Sequence, residues 1–100
     1  MTDIIDLEDF SKEKPNERPG KGKKYQIRVD REKYVVHVDS MKGKEILELA
    51  NKTPYQRYQL NQKFRHGKVK KIEYEEVVDF TEPGIERFMT IPLDQQEGSL

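Results

Sequence analysis

The sequence predicts an α+β domain, a four- to five-stranded mixed sheet crossed by one helix, with a flexible leader before it and a tail after it. Three observations carry this. Residues 24–38 hold two runs that alternate apolar and polar around a short polar turn, the pattern of a strand hairpin. Residues 42–51 change to helical spacing. Beyond residue 55 the period returns to two, ending in a strand over Arg87–Leu93. Hydrophobic residues are distributed to match. Residues 1–23 hold five of them, 94–100 hold only Leu100, and 24–93 carries the rest, so only 24–93 can bury a core. The expected division is leader and linker 1–23, domain 24–93 and tail 94–100. A domain of that size is near the lower limit for folding without staples.

Each element has its own signal. Residues 1–11 mix acids with Ile4, Ile5, Leu7 and Phe10; Ile4, Leu7 and Phe10 would share one side of a short helix. Such a segment reads as a frayed leader or as a motif that folds on a partner or a sister copy. Residues 12–24 combine lysines and Arg18 with Pro15, Pro19, Gly20 and Gly22, a flexible linker by composition. In strand 24–30, Tyr25, Ile27 and Val29 face one way. The return strand 34–38 places Tyr34, Val36 and Val38 on one face, with Val35 and His37 on the other. Asp39-Ser40 offers capping chemistry for the helix Lys42–Asn51, whose stripe is Ile46, Leu49 and Ala50 with Leu47 beside it. Glu48 and Lys52 form an i,i+4 pair, Asn51 suits the left-handed cap, and Thr53-Pro54 ends the helix. In 55–64, Tyr58, Leu60 and Phe64 keep period two and Gln62 breaks it. Arg65-His66-Gly67 is a turn, 68–72 a lysine-rich edge strand anchored by Val69, 77–80 a short apolar piece, and Glu82-Pro83-Gly84 a turn. The last strand has Phe88 on one face and Met89, Ile91 and Leu93 on the other.

Several functions are disfavoured. Nineteen basic residues balance nineteen acidic ones, so bulk charge draws the chain neither to nucleic acid nor to an anionic membrane. There is no cysteine, hence no disulfide, thiolate metal site or thiol nucleophile, which fits a cytoplasmic protein. His37 and His66 sit on different elements and Glu75-Glu76 are adjacent, so no catalytic or metal constellation forms, and neither a cofactor nor an enzyme activity is expected.

Hairpin, helix and further strands, in that order, are the sequence of the β-grasp fold, with first and last strands parallel at the sheet centre. Residues 24–30 (KYQIRVD), 42–50 (KGKEILELA), 58–60 (YQL) and 78–88 (VDFTEPGIERF) together resemble the bacterial multiubiquitin family, over about residues 24–93. The piece from Thr81-Glu82-Pro83-Gly84 to Phe88 is the most specific. That resemblance implies a ubiquitin-like modifier, handled by an activating enzyme, a conjugating enzyme and a processing peptidase. Its terminal carboxylate would be adenylated and passed as a thioester to a partner's cysteine.

Such a tail must thread into active sites, and a glycine removes the Cβ that would obstruct it. Gly98 meets this once. Glu97 precedes it, so there is no Gly-Gly pair, and Ser99-Leu100 follows, so a peptidase would first cut between Gly98 and Ser99. Ubiquitin-like proteins also meet partners through an apolar patch on the outer face of the last strand, a part open to Met89, Ile91 and Leu93. Ile4, Leu7 and Phe10 would then cover that patch as a lid or bind it on another copy, giving head-to-tail self-association. The alternative to a covalent modifier is therefore a noncovalent interaction or assembly module.

Overall fold

The computed structural model describes residues 4–93. In chain order the elements are β1 (Ile4–Asp6), α1 (Leu7–Glu13), β2 (Lys24–Val29), β3 (Glu32–Val36), β4 (Ser40–Lys42), α2 (Gly43–Leu49), a 3-10 turn (Tyr55–Arg57), β5 (Tyr58–Phe64), β6 (Val69–Ile72), β7 (Val77–Asp79) and β8 (Ile85–Pro92). Six strands form one sheet in the order β1-β2-β8-β5-β6, with β3 on the opposite edge of β2; β4 and β7 form a separate antiparallel pair. Without β1, the order β3-β2-β8-β5-β6 is that of a β-grasp sheet, and β2 and β8 are its parallel central pair.

The core follows from alternation. Tyr25, Ile27 and Val29 are all buried, as are Leu60, Phe64, Ile72 and Phe88 from the neighbouring strands. Against them α2 packs Ile46, Leu47 and Ala50, and burial of each of the two larger side chains contributes roughly 1.5–3 kcal/mol. The stripe is thus rotated from the expected one, because Leu49 is half-buried and Leu47 fully buried. Phe80 completes the core, tilted against Tyr25 at 6.1 Å and edge-on to Phe88 at 6.4 Å. Gln62 does not break the period. It lies opposite Phe88 on the inner face, 2% exposed, its Nε2 without a hydrogen-bond partner among the described residues.

Helix α2 does not begin at Asp39-Ser40. Ser40–Lys42 pairs instead with β7, and the Glu45 carboxylate accepts the Lys42 N–H at 2.8 Å. The first free N–H groups of the helix find backbone carbonyls: Gly43 donates to Glu76 O and Lys44 to Tyr74 O. Asp39 instead accepts from the Tyr25 hydroxyl and the Gly22 N–H, both at 2.9 Å. This bend ends β3 at Val36 and leaves Val38 exposed. Asn51 takes the left-handed conformation, φ 61°, as expected. Lys52 reaches Asp30, 3.7 Å away, and lies over the Tyr58 ring.

The expected flexible leader is instead built into the sheet over residues 4–13. β1 runs parallel to β2, with Ile4, Ile5 and Asp6 opposite Lys24, Tyr25 and Gln26. Since β3 occupies the other edge of β2, β1 and β8 share one edge, β1 along 24–26 and β8 at Val29 alone. The βα unit 4–13 therefore lies where β2 and β8 diverge, and α1 contacts both. Leu7 is buried in the common core. Residues 15–20 then strap across the turn before β8: Pro15 O passes close over Gly84 (φ 79°), where a Cβ would lie 3.2 Å from it, and Arg18 donates to Thr81 O. Composition alone marked this segment as loose; long-range contacts order it.

Candidate functional site

The face of the sheet opposite α2 is set by register, since directly paired residues share a face. Leu60 and Gln62 face inward with Thr90 and Phe88. Gln59, Asn61 and Lys63 therefore face outward with Ile91, Met89 and Arg87. On the edge strand, Lys71 pairs with Asn61 and Val69 with Lys63, so both are outward too. Val69 is thus not the anchor of β6: it is 52% exposed, and Ile72 is the buried residue.

The outer face carries a row of apolar side chains along β8. Met89 is half-buried, Ile91 is 46% exposed and Leu93 37%. The Leu93 N–H donates to Arg57 O at 2.8 Å, which fixes the end of the row. Gln59 bonds Asn61 across one strand position, its Nε2 donating to Asn61 Oδ1 at 3.0 Å. Beside Leu93 opens a cleft of about 130 Å³, walled by Gln59, Lys71, Ile72, Glu73 and Tyr74. The Tyr74 hydroxyl donates to Tyr58 O at 2.6 Å, holding that wall to β5. The surface so formed is apolar at Ile91 and Leu93 and is flanked by two ion pairs, Lys63 with Glu86 and Lys71 with Glu73.

At the other end of β8 the pairing with β5 shifts between Lys63 and Phe64, and Glu86 is the extra residue. Its buried carboxylate lies 3.5 Å from Lys63 Nζ and 3.9 Å from Arg65. Arg65 Nε in turn donates to Ser11 Oγ on α1. These charges are taken up internally and do not compose a reactive site. Among the described residues no group of three His, Cys, Asp or Glu side chains could hold a metal, and no helix is long and apolar enough to cross a membrane.

The residues singled out in the leader do not share one docking face. Helix α1 starts only at Leu7, with Asp6 Oδ1 capping the Asp9 N–H. Ile4 therefore lies in a strand and is exposed, Leu7 is buried in the chain's own core, and Phe10 is half-buried with the Lys14 ammonium 5.8 Å from its ring centre. Met89, Ile91 and Leu93 do share a face. Gly98 and Ser99 lie outside the described residues. The outward placement of Val69 and Lys71 was not legible, because it depends on the β5–β6 register, which no local pattern encodes, and that of Tyr74 depends on its bond to Tyr58 O.

The family model described as Multiubiquitin matches residues 25–92, from β2 to the end of β8. No curated protein and no solved structure matches the chain. The matched stretch contains every strand of the β-grasp sheet and the crossing helix, while β1 and α1 precede it. The chain belongs to the multiubiquitin family, and residues 25–92 are its ubiquitin-like β-grasp domain.

Proposed function

We propose that the protein is a ubiquitin-like modifier whose reactive end is Gly98. The observation that carries this reading is the family match ending at Pro92, on a central strand that leads directly into the segment bearing Gly98. A processing peptidase hydrolyses the Gly98–Ser99 bond. The freed Gly98 carboxylate attacks the α-phosphorus of ATP on an activating enzyme, releasing pyrophosphate, and a partner cysteine thiolate then displaces AMP to form the thioester. A conjugating enzyme passes the acyl group to a target. The chain contributes position. Leu93 is tied to Arg57 O, and the five residues from Asp94 to Gly98 span at most about 17 Å, so the partner's active site lies within that reach of the sheet. The row Ile91–Leu93 beside the exit gives the partner a docking surface, with Met89 at its inner end. ATP-dependent activation and the absence of cysteine both suit the cytoplasm.

The test mixes chain ending at Gly98 with the cognate activating enzyme and ATP. The expected result is ATP–pyrophosphate exchange and a thioester band lost on reduction; neither product from the trimmed chain overturns the reading. The second reading, a noncovalent interaction module, is favoured by the exposure of Ile91, Leu93 and Val69 on one face. It predicts binding that survives removal of residues 94–100.

A further inference from the structure

We propose that the N-terminal βα unit, residues 4–13, is exchangeable between copies: the unit of one chain seats in the gap between β2 and β8 of a second. The gap is already shaped for this occupant. It takes an acidic, apolar segment through complementary groups. Asp6 accepts from the Gln26 side chain, Leu7 enters the core, and Glu8 Oε1 lies 2.7 Å from Arg28 Nε. On the β8 side, Ser11 Oγ accepts from Arg65. A second copy carries the same segment, so every one of these contacts is reproduced in exchange.

Two further observations make the unit separable. It lies wholly outside the matched stretch 25–92, which contains all β-grasp elements without it. The strap that follows is anchored independently of it, by Pro15 over Gly84, by Arg18 on Thr81 O and by Gly20 O on the Tyr25 hydroxyl. The hinge is thus the short stretch that follows the C-cap Lys14, where α1 has ended and no strand or helix follows before β2. Because the contacts are the same in either state, the balance is set by chain entropy. A short flexible tether supplies its own segment at an effective concentration on the order of millimolar. Exchange therefore dominates only where copies are held at comparable density, as in a concentrated solution or a linked array.

Engineered cysteines report exchange without background, since the chain has none. Ile4→Cys on one copy and Lys24→Cys on another face each other across the β1–β2 register only when the unit has crossed over. The two variants are annealed together at about 1 mM and then oxidised. The expected result is a mixed disulfide at least fivefold above that given by Ile4→Cys with His66→Cys, a surface pair far from the register. Light scattering on the unsubstituted chain, annealed in the same way, should show a dimer that a chain lacking residues 1–13 does not form. A mixed disulfide no more abundant than the control, together with a monomer mass at every concentration, overturns the proposal. Gly98 takes no part in either measurement, so this outcome and failure of the modifier reading are separate results.

Discussion

Thr90 donates twice to Asp30: its N–H to Oδ1 at 2.9 Å and its hydroxyl to Oδ2 at 2.6 Å. Asp30 holds a left-handed conformation, φ 55°, in the turn between β2 and β3, and its own N–H donates to Phe88 O. One residue thus closes the hairpin turn and clamps it to β8. This clamp continues the parallel pairing of β2 with β8 beyond its single register pair, Val29 with Phe88. Asp30→Ala loses both acceptors and places a Cβ without compensating bonds in the left-handed region, a cost of about 2–4 kcal/mol. Asp30→Gly keeps the backbone and loses only the acceptors, so its cost is smaller. Urea unfolding of the two variants separates the contributions.

Leu7 separates an ordered N-terminal unit from a loose one. Buried at 3% exposure, its truncation to alanine should cost about 2–3 kcal/mol in urea unfolding. If residues 4–13 were a frayed leader, the same change would fall within about 0.5 kcal/mol of zero. Ile4→Ala, at an exposed position, should show the small effect.

Gly43 is required by close approach. A Cβ there would lie 2.4 Å from Glu73 O and 3.0 Å from Ile72 Cγ2. Gly43→Ala must push α2 away from the 73–76 loop, breaking the bonds that Gly43 and Lys44 make to Glu76 O and Tyr74 O. The expected loss is about 2–4 kcal/mol, despite the better helix propensity of alanine. Thermal unfolding with near-UV circular dichroism checks it through the Tyr74 environment.

Ile91 tests the surface without testing the fold. It is 46% exposed, so Ile91→Arg should shift stability by less than about 0.5 kcal/mol. Under the modifier reading it should lower the rate of thioester formation at low chain concentration by at least about tenfold, the equivalent of one lost apolar contact region. An unchanged rate would remove the β8 row from partner recognition.

Asp79 gives the pH dependence. Its carboxylate accepts from both the hydroxyl and the N–H of Thr81, at 2.7 and 2.8 Å, and Arg18 and Lys21 add favourable charge; these hold its pKa below the ordinary carboxylate value. A depressed folded pKa contributes stability above the unfolded value, near 4, and that contribution is lost as pH falls through the folded pKa. Asp79→Asn should therefore flatten the fall of stability below about pH 4 and leave its slope between pH 6 and 8 unchanged. Urea midpoints across that range provide the check.

The alternation of Tyr25, Ile27 and Val29, the helical spacing of Ile46 and Ala50 and the left-handed cap at Asn51 were all readable in the chain, because strand parity and helix periodicity are local properties. The parallel pairing of first and last domain strands was expected from the β-grasp order of the elements, and β2 and β8 do pair in parallel. Neighbour relations were not readable. Val69 and Ile72 sit three positions apart, so they lie on opposite faces, and nothing within β6 says which of them meets the core until β5 sets the register. Gln62 looks like a break in a pattern because its type is polar, yet its position opposite Phe88 buries it. Residues 4–20 have too few apolar groups to order themselves. They take structure from Gln26, Arg28, Arg65 and Gly84, partners distant in sequence whose contribution arises only once β2 and β8 stand side by side.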